Sequence, residues 1–279
     1  MRDRLDAPVS ALEGLPAGGI GRREFAQCMA AGWLLLATCG ARGQLADPGS
    51  EPGPSELRRA CAEFDAMAFA ASRLDLDARA VFVNVAVNRC VSYALDPPSA
   101  PGADVWSTPF ETLARGTGDC EDFAIAKFYL LVASGVPLEG VRLLYAIYRW
   151  PDRSAPSLPH LVTVAGWPLA DPGVLDCINP LVVPLSRRDD LDPIFSFDRS
   201  AIWPGVDAQP LAGRRRRIER WQRAQARTLR QAQEGQRDRR KACPTFIEAR
   251  TARSTACIER RRAMPPSSST APTWISSAL

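Results

Sequence analysis

The segment Gly116-Thr117-Gly118-Asp119-Cys120-Glu121-Asp122, with the apolar run from Phe123 to Val132 behind it, constrains this chain more than any other stretch. Two glycines make a turn, and Asp119 stands where a helix would be capped. Cys120 then falls in the first helical turn, and no breaker follows until Gly135-Val136-Pro137. A thiol at a helix N-terminus faces free backbone N–H groups and the positive end of the dipole, both of which favour the thiolate. That is where a nucleophile would be put.

Only one partner of the right kind exists. The 279 residues include eight cysteines but a single histidine, His160. A mechanism that needs an imidazole has one candidate, and sites built on two histidines, including most zinc-hydrolase centres, are disfavoured. No cysteine pair has CxxC spacing, which argues against a zinc knuckle or a thioredoxin-type motif. The length allows one sizeable core with appendages. The net charge of +4 hides an asymmetry: from Val206 onward there are 17 Lys/Arg against 6 Asp/Glu, which leaves residues 1–205 at −7. The basic balance therefore belongs to the tail, and nucleic acid is not an expected partner.

Residues 1–41 read as an export signal, with Arg22-Arg23 ahead of an apolar stretch from Phe25 to Cys39 that is short for a membrane span. Three variants stay open. Ordinary cleavage could follow Cys39-Gly40-Ala41, and Leu36-Ala37-Thr38-Cys39 is similar to a lipidation box, which would tie the protein to a membrane through Cys39. Arg22-Arg23-Glu24-Phe25 is similar to a twin-arginine signal. Each puts the domain outside the cytoplasm, and a periplasmic location is expected. Residues 42–54 form a polar Pro/Gly-rich linker, and 55–205 the main domain.

Within that domain a helix is expected from Ser55, as cap, to Leu74, with Leu57, Cys61, Phe64, Met67 and Ala68 at spacings of three and four. A second runs from Ala78 to Cys90 with Val81, Val85 and Asn88 along one side. A short helix is entered through Thr108 and Pro109, with Trp106 exposed in it. After the Cys120 helix the period changes: Val141–Arg149, His160–Gly166 and Gly173–Ile178 read as strands. Helices followed by consecutive strands predict an α+β fold, with the Cys helix packed on an antiparallel sheet. If the second and third strands pair, His160 and Asp176 can lie side by side at the end facing the helix N-terminus. Cys120, His160 and Asp176 then supply nucleophile, base and orienting carboxylate. Buried structural roles for the same residues remain the alternative.

The motif Gly116-Thr117-Gly118-Asp119-Cys120-Glu121-Asp122-Phe123 occurs here with Trp106-Ser107-Thr108-Pro109, Pro159-His160-Leu161-Val162, Val174-Leu175-Asp176 and Arg187-Arg188-Asp189-Asp190-Leu191. Together they resemble the bacterial transglutaminase-like cysteine peptidases of LapG type, over roughly Ala78 to Trp203. The resemblance implies a papain-like, transglutaminase-like core with Cys120 as nucleophile, His160 as base and Asp176 as orienter. It also implies an exported endopeptidase that cuts a large surface adhesin and so controls biofilm attachment, under an inner-membrane receptor that senses cyclic-di-GMP. Trp106 would belong to the receptor surface, or else to the core. Acyl transfer or amide removal on protein side chains is the alternative chemistry, and a catalytically silent binding module a third reading.

Asp119, Glu121 and Asp122 crowd the thiol. One carboxylate about 8 Å from the sulfur disfavours the thiolate by roughly 2 kcal/mol at an effective dielectric near 20. Three outweigh the helix terminus, worth about 0.3–1 kcal/mol at a surface. A cation would reverse this, and Ca²⁺ suits clustered carboxylate oxygens. By resemblance these three acids bind calcium. The competing reading has Asp119 and Asp122 as a capping box, with Glu121 solvated.

Cys61, Cys90 and Cys177 could be buried thiols or form disulfides. The Cys120 backbone N–H is an expected oxyanion donor, with no second donor evident. Residues 206–235 read as a basic helix with a thin apolar face of Ile218, Trp221, Ala224 and Leu229. The tail, 236–279, reads as disordered.

Overall fold

A computed structural model describes residues 50–96, 105–152, 155–166, 171–206, 210 and 218–242. The expected export signal, Cys39 and residues 243–279 lie outside the described residues. None of the helices within them is long and apolar enough to cross a membrane.

Helix α1 (Pro54–Ser72) starts one residue earlier than expected. Gly53, not Ser55, is its cap, with Pro54 at the first position and the Glu56 carboxylate accepting the Gly53 N–H at 2.7 Å. Proline suits that position because its missing N–H would have no intrahelical partner there. Helix α2 (Leu76–Cys90) is capped by Asp75, whose side chain accepts from Ala78 N–H. Its deeply buried residues include Val83, Val87 and Cys90, whereas the expected apolar side of Val81, Val85 and Asn88 is only half-buried. The short strand β1 (Ser92–Tyr93) follows. Helix α3 (Pro109–Arg115) enters through Thr108 and Pro109 as predicted, with Thr108 and Glu111 forming a capping box. Strand β2 (Thr117–Gly118) pairs with β1 in parallel.

Helix α4 (Cys120–Ala133) is buried without interruption from Asp122 to Val132. A helix apolar on every side needs cover on every side. Helices α1, α2 and α3 supply it on one flank and a sheet on the other. The sheet is antiparallel throughout, in the order β6-β5-β4-β3-β7-β8. Its strands are β3 (Val141–Tyr148), β4 (Leu158–Ala165), β5 (Gly173–Leu175), β6 (Val183–Pro184), β7 (Leu191–Phe197) and β8 (Ile202–Pro204). The predicted α+β arrangement, a Cys helix on an antiparallel sheet, is the one observed. The Thr163 hydroxyl donates to the Ala124 carbonyl at 2.7 Å, tying β4 to α4. A second apolar cluster, with Leu144, Val162, Val164 and Val174, keeps both faces of the central strands covered.

Helix α5 (Glu219–Ala242) runs past residue 235, where the sequence suggested helix would give way to disorder. Gly235 looked like a stop. Instead it is a contact: a Cβ there would stand 3.3 Å from Cys61 Sγ, so glycine lets α5 approach α1.

Candidate active site

The turn that presents Cys120 is held from both sides. Helix α3 ends at Gly116, whose φ of +70° lies in the left-handed region that favours glycine. Strand β1 then clamps the turn: Ser92 N–H donates to Gly116 O at 2.8 Å, and Ala94 N–H to Gly118 O at 2.9 Å. Asp119 occupies the cap position of α4, but its side chain makes no capping bond. Asp122 does not answer it either. Its Oδ1 accepts the Ser107 N–H at 2.9 Å and its Oδ2 the Arg115 guanidinium at 3.2 Å. The capping-box reading is thus corrected, because Asp122 is drawn away to fasten the segment before α3.

Cys120 is half-buried. Its thiol donates to Glu121 Oε2 at 3.0 Å, and its sulfur also receives the backbone N–H of Leu161, the residue after His160. Burial pushes the thiol well above its ordinary value, and the charge and hydrogen bond of Glu121 push further, while the Leu161 N–H acts the other way. Asp119 is pushed up to about 9 by burial, then by Glu121, Asp122 and Asp96. Its Oδ1 is buried without a hydrogen-bond partner. Such an oxygen is costly unless a proton or a cation meets it. Asp119 and Glu121, with Asp96 near, therefore fit a hard divalent cation, whereas Asp122 already has Arg115.

His160 and Asp176 meet directly, with Nε2 2.7 Å from Oδ1, and each is 1% exposed. Asp176 sits just past the end of β5 and is held on every side. Its Oδ2 accepts from Arg188 at 2.6 Å, its Oδ1 from Ile178 N–H at 3.0 Å, and its carbonyl from the Asn88 amide at 2.9 Å. Burial alone would raise the Asp176 carboxyl. The hydrogen bond and charge of His160, with the charge of Arg188, overcome that and hold it well below the carboxylate range. Asp190 grips Arg188 from the far side through two hydrogen bonds, at 2.8 and 2.9 Å. Arg188 and Asn88 carried no assigned role in the sequence. No periodicity marks a buried guanidinium in a loop, and Asn88 passed as part of a helix face.

Cys61 and Cys177 are not in disulfides, whereas Cys90 is disulfide-bonded. Ligand-type atoms of His160, Asp176 and Cys177 lie within 4.8 Å of one another. That grouping shares none of the three acids expected to bind a metal, and its ring nitrogen is already committed to Asp176. Trp106 is half-buried and precedes α3, rather than being exposed within it. It stacks on Phe197 at 6.0 Å and lines a groove of about 410 Å³ with Tyr145, Phe195 and Ile218. Its carbonyl accepts from Arg227 of α5 at 2.6 Å.

No family profile matches the chain, and no curated protein does. Solved structures do. Its structural neighbours are structures of LapG from Legionella pneumophila. The calcium-bound LapG is 24% identical, with 72% of this chain and 89% of that one covered at a TM-score of 0.41. A second LapG structure is 23% identical, covering 74% and 88% at 0.42. The EGTA-treated form is 24% identical, covering 74% and 90% at 0.42.

Proposed function

We propose that the protein is an exported, calcium-dependent cysteine endopeptidase of the transglutaminase-like type, acting through Cys120, His160 and Asp176. The observation that carries this is the buried 2.7 Å pair of His160 and Asp176, with the half-buried Cys120 thiol at the start of α4 meeting the N–H of Leu161, the residue after His160. A single histidine placed this way is ordered for proton transfer, because Asp176 fixes its ring and Arg188 fixes Asp176.

In the proposed cycle His160 takes the Cys120 proton, and the sulfur adds to the scissile carbonyl carbon, whose π pair moves to oxygen. The tetrahedral centre collapses, the C–N bond breaks, and His160 returns the proton to the leaving amine. Water, deprotonated by His160, then attacks the thioester and releases Cys120. Asp176 stays ionised and stabilises the imidazolium. At rest Glu121 holds the thiol proton, which opposes the first step. Bound calcium, held by Asp119 and Glu121, would supply positive charge that offsets these carboxylates. Asp122 keeps the turn in place through Ser107 and Arg115.

The substrate in this reading is the N-terminal region of a large surface adhesin, with biofilm attachment as the process. The controlling partner is an inner-membrane cyclic-di-GMP receptor docking near Trp106, and the location is the periplasm. The test is cleavage of an adhesin N-terminal fragment from the same genome. Wild type with Ca²⁺ is expected to cut, whereas Cys120→Ala with Ca²⁺ and wild type in EGTA are expected not to. Cutting by Cys120→Ala would overturn the mechanism, and cutting in EGTA would remove the calcium requirement alone. Incorporation of a labelled amine in place of cleavage would establish acyl transfer instead.

A further inference from the structure

Addition of the thiolate to a carbonyl leaves a negative oxygen beside the start of α4. Stabilising it takes donors already aimed at the site. The Cys120 N–H is one, since the first N–H groups of a helix have no intrahelical acceptor. We propose that the hydroxyl of Tyr93 is the second donor of the oxyanion hole, an assignment that rests on the peptidase reading above.

The backbone fixes where Tyr93 stands. It pairs in register with Gly118, two residues before the nucleophile, and the Ser92 and Ala94 N–H bonds to Gly116 and Gly118 bracket it on either side. Its Cα cannot drift from the turn without breaking both. The side chain is 52% exposed, whereas His160 and Asp176 are 1% exposed. The phenol is therefore open to solvent, as a donor that a substrate carbonyl must reach has to be. Cys120, Cys177, Asp119 and Glu121 all act on it electrostatically, so the hydroxyl lies within electrostatic range of the sulfur and its acidic neighbours. A phenol is protonated at neutral pH and can donate. A neutral donor suits this position, because a lysine or arginine would pair with Asp119 or Glu121.

The test compares Tyr93→Phe with wild type, both as the full chain with Ca²⁺. Three readouts are cleavage of the adhesin fragment, inhibition by the peptide aldehyde acetyl-Leu-Leu-norleucinal, and alkylation of Cys120 by iodoacetamide. Cleavage and aldehyde adducts both develop a negative oxygen from a carbonyl, and alkylation does not. Loss of one oxyanion donor is expected to lower kcat about 100-fold with little change in KM. The aldehyde should bind at least about tenfold more weakly, with alkylation within about twofold of wild type. Unchanged cleavage and aldehyde binding would overturn the assignment, as would a fall in alkylation parallel to that in cleavage, which would mark a role in building the thiol's surroundings. Failure of wild type itself to cut, with Cys120 still alkylated, would overturn the peptidase reading and this assignment with it. That result is distinct from a Tyr93→Phe protein that cuts as wild type does.

Discussion

Lys127 stands seven residues after Cys120 on α4, fully buried, with an ammonium that no hydrogen bond receives. The Phe123 ring lies 5.4 Å from it, and Cys177 and Asp176 act on it at longer range. Burial pushes it down to about 8, against 10.5 in the unfolded chain. For a base with a depressed folded value the cost is full below that value and fades as pH rises towards the unfolded one. Lys127→Met is therefore expected to stabilise the protein by about 3 kcal/mol at pH 7, at about 1.4 kcal/mol per pH unit of separation. The gain should shrink between pH 8 and 10.5. Urea midpoints across that range check it, and a gain that stayed constant with pH would show that charge is not the cause. Arg188 differs from Lys127 because two aspartates meet it. A buried charge stabilises only where its partners are equally well placed.

At the scale of elements, the junction of β2 and α4 has the least slack. A Cβ at Gly118 would lie 2.7 Å from Asp122 Cβ and 2.8 Å from its Oδ2. Neither neighbour can yield cheaply, because Asp122 is fastened to Ser107 and Arg115. Gly118→Ala is expected to cost about 1–3 kcal/mol by overpacking. It should also slow alkylation of Cys120 by shifting the start of α4. A melt and an alkylation rate measured on one preparation test both parts, and wild-type values in each would refute the close approach. That the segment is a turn leading into a helix was legible, since glycine spacing and an unbroken apolar run are local signals. Which acid faces the thiol was not. Successive helical residues point about 100° apart, as 3.6 residues per turn requires. The same three carboxylates can thus serve one site or two, depending on where Arg115 and Ser107 lie.

At the scale of the molecule, α5 braces the helix that begins at Cys120. The Trp221 ring meets Phe128, Tyr129 and Phe197 at 5.4, 5.8 and 6.0 Å, and its indole N–H donates to Asp198 O at 3.0 Å. Further along, Arg227 and Gln231 bind Glu111, the carboxylate that closes the capping box of α3. Trp221→Ala is expected to cost about 3–5 kcal/mol, read as a lower urea midpoint, with alkylation of Cys120 unchanged where both proteins are folded. A midpoint within error of wild type would mean that α5 is an appendage rather than part of the core. The sequence suggested a thin apolar face on this helix, and Trp221 and Ala224 are indeed buried. It also suggested an end at Gly235, because glycine is a local stop signal whose packing use shows only when α1 is in place.

The sequence by itself determined the local elements: the turn before Cys120, the buried helix after it, the three strand segments, and an imidazole that could come only from His160. Backbone propensity, hydrophobic period and the count of one histidine decide these without reference to distant residues. Tertiary structure decided what those elements face. It brought Arg188 and Asn88 onto Asp176, tied Asp122 to Ser107 and Arg115, left an oxygen of Asp119 without a partner, and set Tyr93 beside Gly118 in the turn before Cys120. Those outcomes depend on contacts between segments far apart in the chain, and no local pattern encodes the direction in which a side chain meets a neighbour brought in by packing.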